Sequence, residues 1–414
     1  MAEEEVWDQR RTLRPPPYQG AMARLLDGLE IGDDVVDHLP DEVVSPCVRH
    51  RHASSTMQFL EQLPEPEWVD WALVRRGQEL WREHLGRAFL ALTAALLQGF
   101  TIARFAEVLH HAGYAQSPLT SCSRYSATAY FILDWFCHPL DDMESWARQG
   151  IYTVRCMHSF ARRRSKGLFS REKGEGIALS QYDMGEVQLG FSAVCLSIME
   201  KEMGMGPLPP SDREAMVHVW RLIGWHLGIQ DRFNVCNSVE GMAACFEDYM
   251  EWTPQRLRTC RESTHLLQLA AVQGFGTHLA LGKRYWEGFL SSLQDVRGVQ
   301  VLYVRVRPLP GMAAVARMRM ELVGKSSTFN SVLSRVIVLM RETRRQRPKL
   351  ADWFQTALAP KVAAVNDAVV WRLLSVAVRL VSSGAAVALP RRAAALAVAL
   401  TAAALLLARA ARRR

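Results

Sequence analysis

The chain has 414 residues, of which 49% are hydrophobic and 22% charged. This balance is typical of a globular protein with a large core, and it excludes a disordered chain. The net charge is +8, but six arginines after residue 390 supply most of it, so the rest of the chain is close to neutral. A nucleic-acid-binding protein carries its excess charge on the folded domain, so we expect no nucleic-acid partner.

The eight cysteines are scattered, and no two have the Cys-x-x-Cys spacing. This pattern indicates free thiols and excludes both a disulfide framework and a structural zinc site. The first residues, Met1–Glu5, are acidic and lack the apolar stretch of a secretory signal.

Residues 1–54 are interpreted as an irregular N-terminal arm. The arm contains Pro15-Pro16-Pro17 and has one short amphipathic stretch at Met22–Leu29. From Pro66 onward the apolar residues recur with helical spacing. We therefore predict one helical domain over residues 55–360, followed by a separate segment over residues 361–414.

The first helices of this domain differ in how apolar they are. Trp68–Arg87 is amphipathic, whereas Phe89–His111 is nearly apolar and is predicted to be a buried central helix. Thr120–Phe136 and Asp141–Arg164 follow. His138-Pro139 separates these two, because the residue before a proline is disfavoured in a helix.

Capping residues predict the starts of the next two helices. Ser180 is placed to be the N-cap of a helix over Ser180–Met203. Gly204–Pro210 is a break. Ser211-Asp-Arg-Glu214 then matches a capping box for a helix that runs through Leu227.

The later segments are also mostly helical. Helical spacing recurs over Pro254–Leu290, Phe329–Arg345 and Ala351–Ala364, although Pro360 is expected to kink or split the last of these. Val299–Val306 alternates and is predicted to be a short strand. The fold class predicted from the sequence is therefore all-α, a multi-helix bundle.

The C-terminal segment ends in an apolar helix, Ala393–Ala408, with arginines on both sides. Sixteen helical residues span about 24 Å, less than the roughly 30 Å of a hydrocarbon core, although flanking arginines can extend the reach. We expect membrane association, as a tail anchor with the main domain facing the cytosol. A helix lying on the membrane surface or packed on the domain is the alternative.

A candidate site combines residues from two predicted helices. Arg124 and Thr128 are four residues apart, so they share a helical face. His158 lies on an apolar stripe with Ile151, Val154 and Ala161. A lone histidine on such a face is usually a core residue bonded to a carbonyl. It also suits a buried haem, with an imidazole for the iron and a cationic group and a hydroxyl for propionates or oxygen.

Two further motifs have structural and functional interpretations. Gln181 and Asp183 open a helix, where an acidic residue is favoured by the helix dipole, although a haem site is the alternative. Gly224 and Gly228 end another helix, where glycine lets helices or a flat ligand approach closely.

A competing metal site remains open from spacing alone. Glu107-x-x-His110 and Glu262-x-x-His265 both have the spacing found in di-iron helical bundles. Two further inward glutamates would be needed, and Glu83 and Glu200 are the candidates.

Taken together, four motifs between about Arg75 and Asp231 resemble the catalytic domain of the rubber oxygenases (latex clearing proteins) and of the fungal ER-bound oxygenase of mycophenolic acid biosynthesis. They are, in chain order, Arg124-x-x-x-Thr128, Val154-Arg-x-Met-His158, Ser180-Gln-x-Asp183-Met and Trp220-Arg-x-x-Gly224-x-x-Leu-Gly228-Ile. The match covers a little over a third of the chain, and its strength comes from the order and spacing of the motifs.

The resemblance implies an all-α fold with a globin-like haem-binding core and one haem b. In that family, His158 would be the proximal iron ligand, and Arg124 and Thr128 would lie on the distal side. The implied reaction uses O2 to cleave a carbon–carbon double bond of an isoprenoid chain. The sequence departs from the family at Ala127, where rubber oxygenases have a lysine that can cap the iron. The family's upstream glutamate has a possible counterpart in Glu107.

From these observations we expect a haem-dependent oxidoreductase that acts on a prenyl or lipid-like substrate with O2. Two alternatives stay open at this stage. One is a non-haem di-iron enzyme, and the other is a helical lipid-binding or scaffold protein of the same fold without activity.

Overall fold

The computed structural model describes residues 13–40, 44, 60, 62–113, 115–258, 260–279, 282 and 324–368. The predicted strand at residues 299–306 and the apolar helix at residues 393–408 lie outside this part. Within it the elements are helices and turns, and no β-strand occurs. The predicted all-α, multi-helix fold is therefore confirmed.

The helices of the first half of the chain are a 3₁₀ helix Ala21–Gly28, α1 Trp71–Glu83, α2 Leu85–Gly99, α3 Ala103–His111, α4 Pro118–Cys137 and α5 Trp146–Arg164. Those of the second half are α6 Gln181–Leu189, α7 Cys195–Ser197, α8 Pro210–His226, α9 Val239–Glu251, α10 Thr253–Arg258, α11 Glu262–His278, α12 Ser327–Gln346 and α13 Pro348–Trp353. Two π-helical turns, Gly190–Val194 and Ile198–Glu202, flank α7.

The predicted helix Phe89–His111 is wrong as a single element. It is divided between α2 and α3, which are bent by 94° to each other at a short break. No single helix in the described ranges is long and apolar enough to cross a membrane; α2 and α3 meet that test only as this bent pair.

Capping explains most of the helix starts. Asp70 accepts hydrogen bonds from the amides of Ala72 and Leu73, so α1 begins three residues later than predicted. Ser145 caps α5, which therefore starts at Trp146 and not at Asp141. The predicted stop before Pro139 is confirmed, because α4 ends at Cys137.

The two predicted capping sites of the second half have opposite outcomes. Ser180 caps α6, and Asp183 bonds back to the amide of Ser180, so this prediction is confirmed. The capping box at Ser211–Glu214 is wrong. Pro209 is the N-cap of α8 without a side-chain hydrogen bond, and Pro210 occupies the first helical turn, where the fixed φ of proline is favourable.

Pro360 was expected to kink or split its helix, and the helix is not split. The chain stays helical through residue 368, but a π-helical turn, Phe354–Leu358, immediately precedes the proline. Proline cannot donate the usual backbone hydrogen bond and its ring crowds the preceding turn. A widened turn at this point relieves that conflict without ending the helix.

The core is built by helix pairs and closed by the N-terminal segment. α1 packs on α8, α4 packs between α5 and α11, and α2 packs on α12. Trp81 and Phe136 stack at the centre, with ring centroids 4.3 Å apart. Met22 and Leu25 of the 3₁₀ helix are fully buried, so residues 13–40 of the predicted arm are irregular but belong to the core.

Candidate functional site

The site lies between α4 and α5, which form an antiparallel pair. A Cβ on Gly150 would lie 3.3 Å from Trp135 Nε1 and 3.4 Å from the ring of Phe131, which fixes the register of the two helices. His158 lies eight residues after Gly150 on α5. On α4, Arg124 lies seven residues before Phe131, and Thr128 lies seven residues before Trp135. The pairing therefore brings the three predicted site residues to the same level.

The side chains of the two helices become more exposed towards this level. Ile151 is fully buried, whereas Val154, His158 and Ala161 on the same stripe are only half-buried. On the α4 side, Arg124 is half-buried and Thr128 is exposed; the Thr128 hydroxyl donates to the carbonyl oxygen of Arg124, at 3.4 Å. We call the region between the segments Arg124–Thr128 and Val154–Ala161 the α4–α5 crevice. Ala127 is its smallest α4 side chain.

His158 is the most unusual group of the crevice. Its Nδ1 is shielded from solvent and has no hydrogen-bond partner among the described residues. Burial, together with the positive charges of Arg162 and Arg124, lowers the pKa of His158 to about 4 against the opposing charge of Asp33. The imidazole is therefore neutral at pH 7, which is the form that binds a metal.

A buried ion pair holds α5 one turn before His158. Arg155 donates two hydrogen bonds to Asp33, of 2.6 and 2.8 Å, and Asp33 also accepts from the amides of Val35 and Val36. Burial alone would raise the pKa of Asp33, but the hydrogen bonds and charge of Arg155 outweigh it and lower that pKa. This pair anchors the N-terminal segment on α5 and fixes the helix that carries His158.

Gly228 makes room for that pair. Its φ is +90°, and a Cβ there would lie 2.3 Å from Asp33 Oδ2 and 2.9 Å from Arg155 Nε. The glycine expected to permit a close approach therefore admits an ion pair. Sequence reasoning missed Asp33 and Arg155; the only signals were the Val154-Arg155 motif and Gly228 itself.

Gln181 and Asp183 have structural roles outside the crevice. Gln181 donates to the carbonyls of Gly32 and Gly228 and accepts from the amide of Gln230. Asp183 caps α6 and forms an ion pair with Arg104 at 2.6 Å. Their polar groups are thus used within the fold, in agreement with the structural interpretation of this motif.

A second buried histidine, His226 of α8, has a different environment. It contacts Arg148, which is 1% exposed, and its Nε2 lies 3.3 Å from Glu65 Oε2. Burial lowers its pKa to about 4, and Glu65 opposes this effect. The imidazole of His226 is thus held between Arg148 and Glu65, which is a structural role.

The di-iron alternative lacks its ligand set. Glu107 accepts a 2.7 Å hydrogen bond from Ser263 and forms an ion pair with Arg261. Glu200 is bonded to Arg213 and to the amide of Leu208. Within the described ranges, no three His, Cys, Asp or Glu side chains are grouped so that they could hold a metal ion.

One of three comparisons with known proteins found a similar fold. No protein-family model matches the chain, and no curated protein matches it. Among solved structures, it is similar to the latex clearing protein LCP in the closed state, with a TM-score of 0.52 and 17% sequence identity. The similarity covers 76% of this chain and 91% of that chain. The resemblance inferred from the sequence motifs is therefore confirmed at the level of the fold.

The crevice fits a haem in its donor chemistry. It combines a neutral imidazole, whose Nδ1 has no partner in the part of the chain that the structure describes, with the positive charge of Arg124 and the apolar side chains of Val154 and Ala161. Iron in haem accepts a neutral histidine, and carboxylates pair with arginine.

Proposed function

We propose that this protein is a haem b-dependent oxygenase that uses O2 to cleave a carbon–carbon double bond of a prenyl or lipid-like substrate. The observation that carries the proposal is the neutral imidazole of His158, whose Nδ1 has no hydrogen-bond partner among the described residues, in a fold similar to that of latex clearing protein. The pKa keeps this imidazole ready to bind a metal without first losing a proton.

The crevice residues divide into a ligand and two distal groups. His158 would bind the iron, and the Asp33–Arg155 pair would hold its helix in place. Arg124 would pair with a propionate or organise the distal side, and Thr128 would supply a hydroxyl there. Glu107, bonded to Ser263 and Arg261, is a positioning group between α3 and α11 in this account.

Haem would supply the activation of O2, and the chain would supply the binding and exclusion of water. Both oxygen atoms of O2 are consumed when the double bond breaks, giving one carbonyl group on each of two products. Ala127 leaves the distal side less crowded than a lysine would, so a long substrate chain has room there. The half-buried Val154 would offer such a chain an apolar contact.

The proposal includes a location. The arginine-flanked segment 393–408 would attach the protein to an intracellular membrane, with the helical domain facing the cytosol. A membrane-dissolved prenyl compound would then lie close to the domain, which suits a substrate of this class.

Two measurements on the full chain test the proposal. A pyridine haemochrome assay is expected to show close to one haem b per chain in protein produced with a haem precursor. Incubation of that protein with a polyprenyl substrate under ¹⁸O2 is expected to give labelled carbonyl products. The variant His110→Ala is the control, since it should change neither result. Haem-free folded protein would contradict the proposal.

Ala127 favours one second candidate, a protein that kept the fold and a lipid-binding crevice but not the chemistry. This candidate predicts binding of a prenyl compound by protein that contains no haem, and no cleavage product.

A further inference from the structure

A basic, tryptophan-bearing surface lies at the end of α5 remote from the crevice residues. Two large aromatic side chains are exposed there, Trp146 by 37% and Trp353 by 45%. We call the surface the Trp146–Trp353 face, and it comprises Trp146, Arg344, Arg345, Arg347, Lys349 and Trp353.

Contacts between α12, α13 and the start of α5 join these residues into one surface. The Arg345 guanidinium lies 4.9 Å from the centroid of the Trp146 ring. The next arginine, Arg344, forms an ion pair with Asp352, the neighbour of Trp353. The first contact joins the start of α5 to α12, and the second joins α12 to α13 next to Trp353.

The part of this face on α12 and α13 is mainly basic. Residues 344–353 contain four bases and a single acid, Asp352, which pairs with Arg344, whereas Glu144 near Trp146 and Glu342 on α12 are acidic. Arg345, Arg347 and Lys349 are all exposed. Such a cluster attracts polyanions, and exposed tryptophan beside it is typical of a surface that enters the headgroup region of a membrane.

We infer that the Trp146–Trp353 face binds the surface of an anionic lipid bilayer. Two observations favour a bilayer over a nucleic acid. Val365, on the helix that continues from α13, is 60% exposed, so apolar exposure extends beyond the tryptophans. The chain then leads to the apolar segment 393–408 with its flanking arginines.

The position of the face also relates it to the crevice. Trp146 and His158 are twelve residues apart on α5, which corresponds to about 18 Å along the helix axis. A bilayer bound at this face would therefore be within reach of a long prenyl chain. Lipid binding itself rests on the charge and exposure of the face, so it stands or falls independently of the haem proposal.

Vesicle flotation with the full chain tests the inference. Vesicles of mixed phosphatidylcholine and phosphatidylserine are expected to bind the protein more tightly than phosphatidylcholine alone, with a loss at high salt. The double variant Arg347→Gln/Lys349→Gln is expected to bind the mixed vesicles about 25-fold more weakly, at about fivefold for each charge. Lys166→Gln/Lys201→Gln removes the same charge from exposed positions elsewhere and is expected to bind as the wild type does.

Insertion of the aromatic side chains gives a second readout. Brominated lipid is expected to quench part of the tryptophan fluorescence, and Trp353→Phe should remove a share of that quenching. Equal binding by both double variants would assign attachment to the C-terminal segment and overturn the inference. Binding of an oligonucleotide without binding of mixed vesicles would also overturn it.

Discussion

His158 and His226 lie on neighbouring buried helices, and burial lowers the pKa of each to about 4. Their partners differ. His226 contacts Arg148 and Glu65, whereas Nδ1 of His158 has no hydrogen-bond partner in the described part of the chain. A buried polar atom without a partner costs free energy, and a ligand from outside the chain is one way to recover it. The comparison separates a structural histidine from a candidate ligand that burial alone does not distinguish.

The largest expected effect is on haem retention. Loss of a residue that hydrogen-bonds to a metal ligand lowers metal affinity by up to roughly 100-fold, and loss of the axial ligand itself should lower it more. His158→Ala is therefore expected to lose nearly all haem, measured by Soret absorbance after gel filtration. Its midpoint of thermal unfolding should change little in the haem-free state. Wild-type haem content in this variant would show that the two histidines are alike.

His226→Ala is expected to have the opposite effects. Arg148 is almost fully buried, and loss of its histidine partner leaves a buried charge less well satisfied, at a cost of roughly 3 kcal/mol. Urea denaturation measures this loss, and haem content per folded chain should be unchanged. His226→Gln keeps a hydrogen-bonding side chain and should lose less stability. A neutral effect of His226→Ala would remove the structural half of the comparison.

Gly228→Ala tests the ion pair that supports His158. Its Cβ would collide with Asp33, and φ is positive, so we expect a loss of roughly 2 kcal/mol in unfolding free energy. Gly113 also has a positive φ, of +75°, but no atom lies within 4 Å of a Cβ there. Gly113→Ala therefore reports backbone strain alone, at about 1 kcal/mol. Equal losses of unfolding free energy in the two variants would mean that the Asp33–Arg155 pair moves to accommodate the added Cβ.

The pH dependence of haem affinity is expected to be the smallest effect near neutrality. Only the neutral imidazole binds iron, and in the haem-free protein His158 gains a proton near pH 4. Affinity should thus stay level from about pH 7.5 to about pH 5.5 and fall at lower pH, whereas a histidine with the ordinary pKa would begin to lose affinity near 6.5. Haem titrations across this range measure it.

The same two pKa values set how the stability of the protein depends on pH. In the unfolded chain both histidines take up a proton near pH 6.5, and in the folded chain near pH 4. The unfolded state binds more protons between these values, so stability is lost as pH falls through that window.

The sequence predicted the helices and the candidate site residues better than the buried ion pairs that hold the site in place. Apolar periodicity and caps such as Ser180 depend on neighbouring residues, so they can be read locally. Arg124, Thr128 and His158 were also predicted to share a site, from the common helical face of the first two, the apolar stripe of His158 and the family resemblance. The bend between α2 and α3 has no proline or capping signal, because tertiary packing decides it.

The buried ion pairs were missed because they join residues that are far apart in the sequence. Asp33 and Arg155 are 122 residues apart, and no local pattern joins a loop aspartate to a helical arginine. The pairing of Arg148 with His226 and Glu65 is equally non-local. Gln181 and Asp183 show the reverse case, in which local capping chemistry gave the correct structural interpretation.

Chemical rescue of His158→Gly tests the account most directly. Removal of the side chain should abolish the Soret band of bound haem, and added imidazole should restore it by occupying the place of the lost ring. His226→Gly with imidazole is the matched control and should show no such restoration. The account predicts rescue at His158 alone. Full haem binding by His158→Gly without imidazole would contradict it.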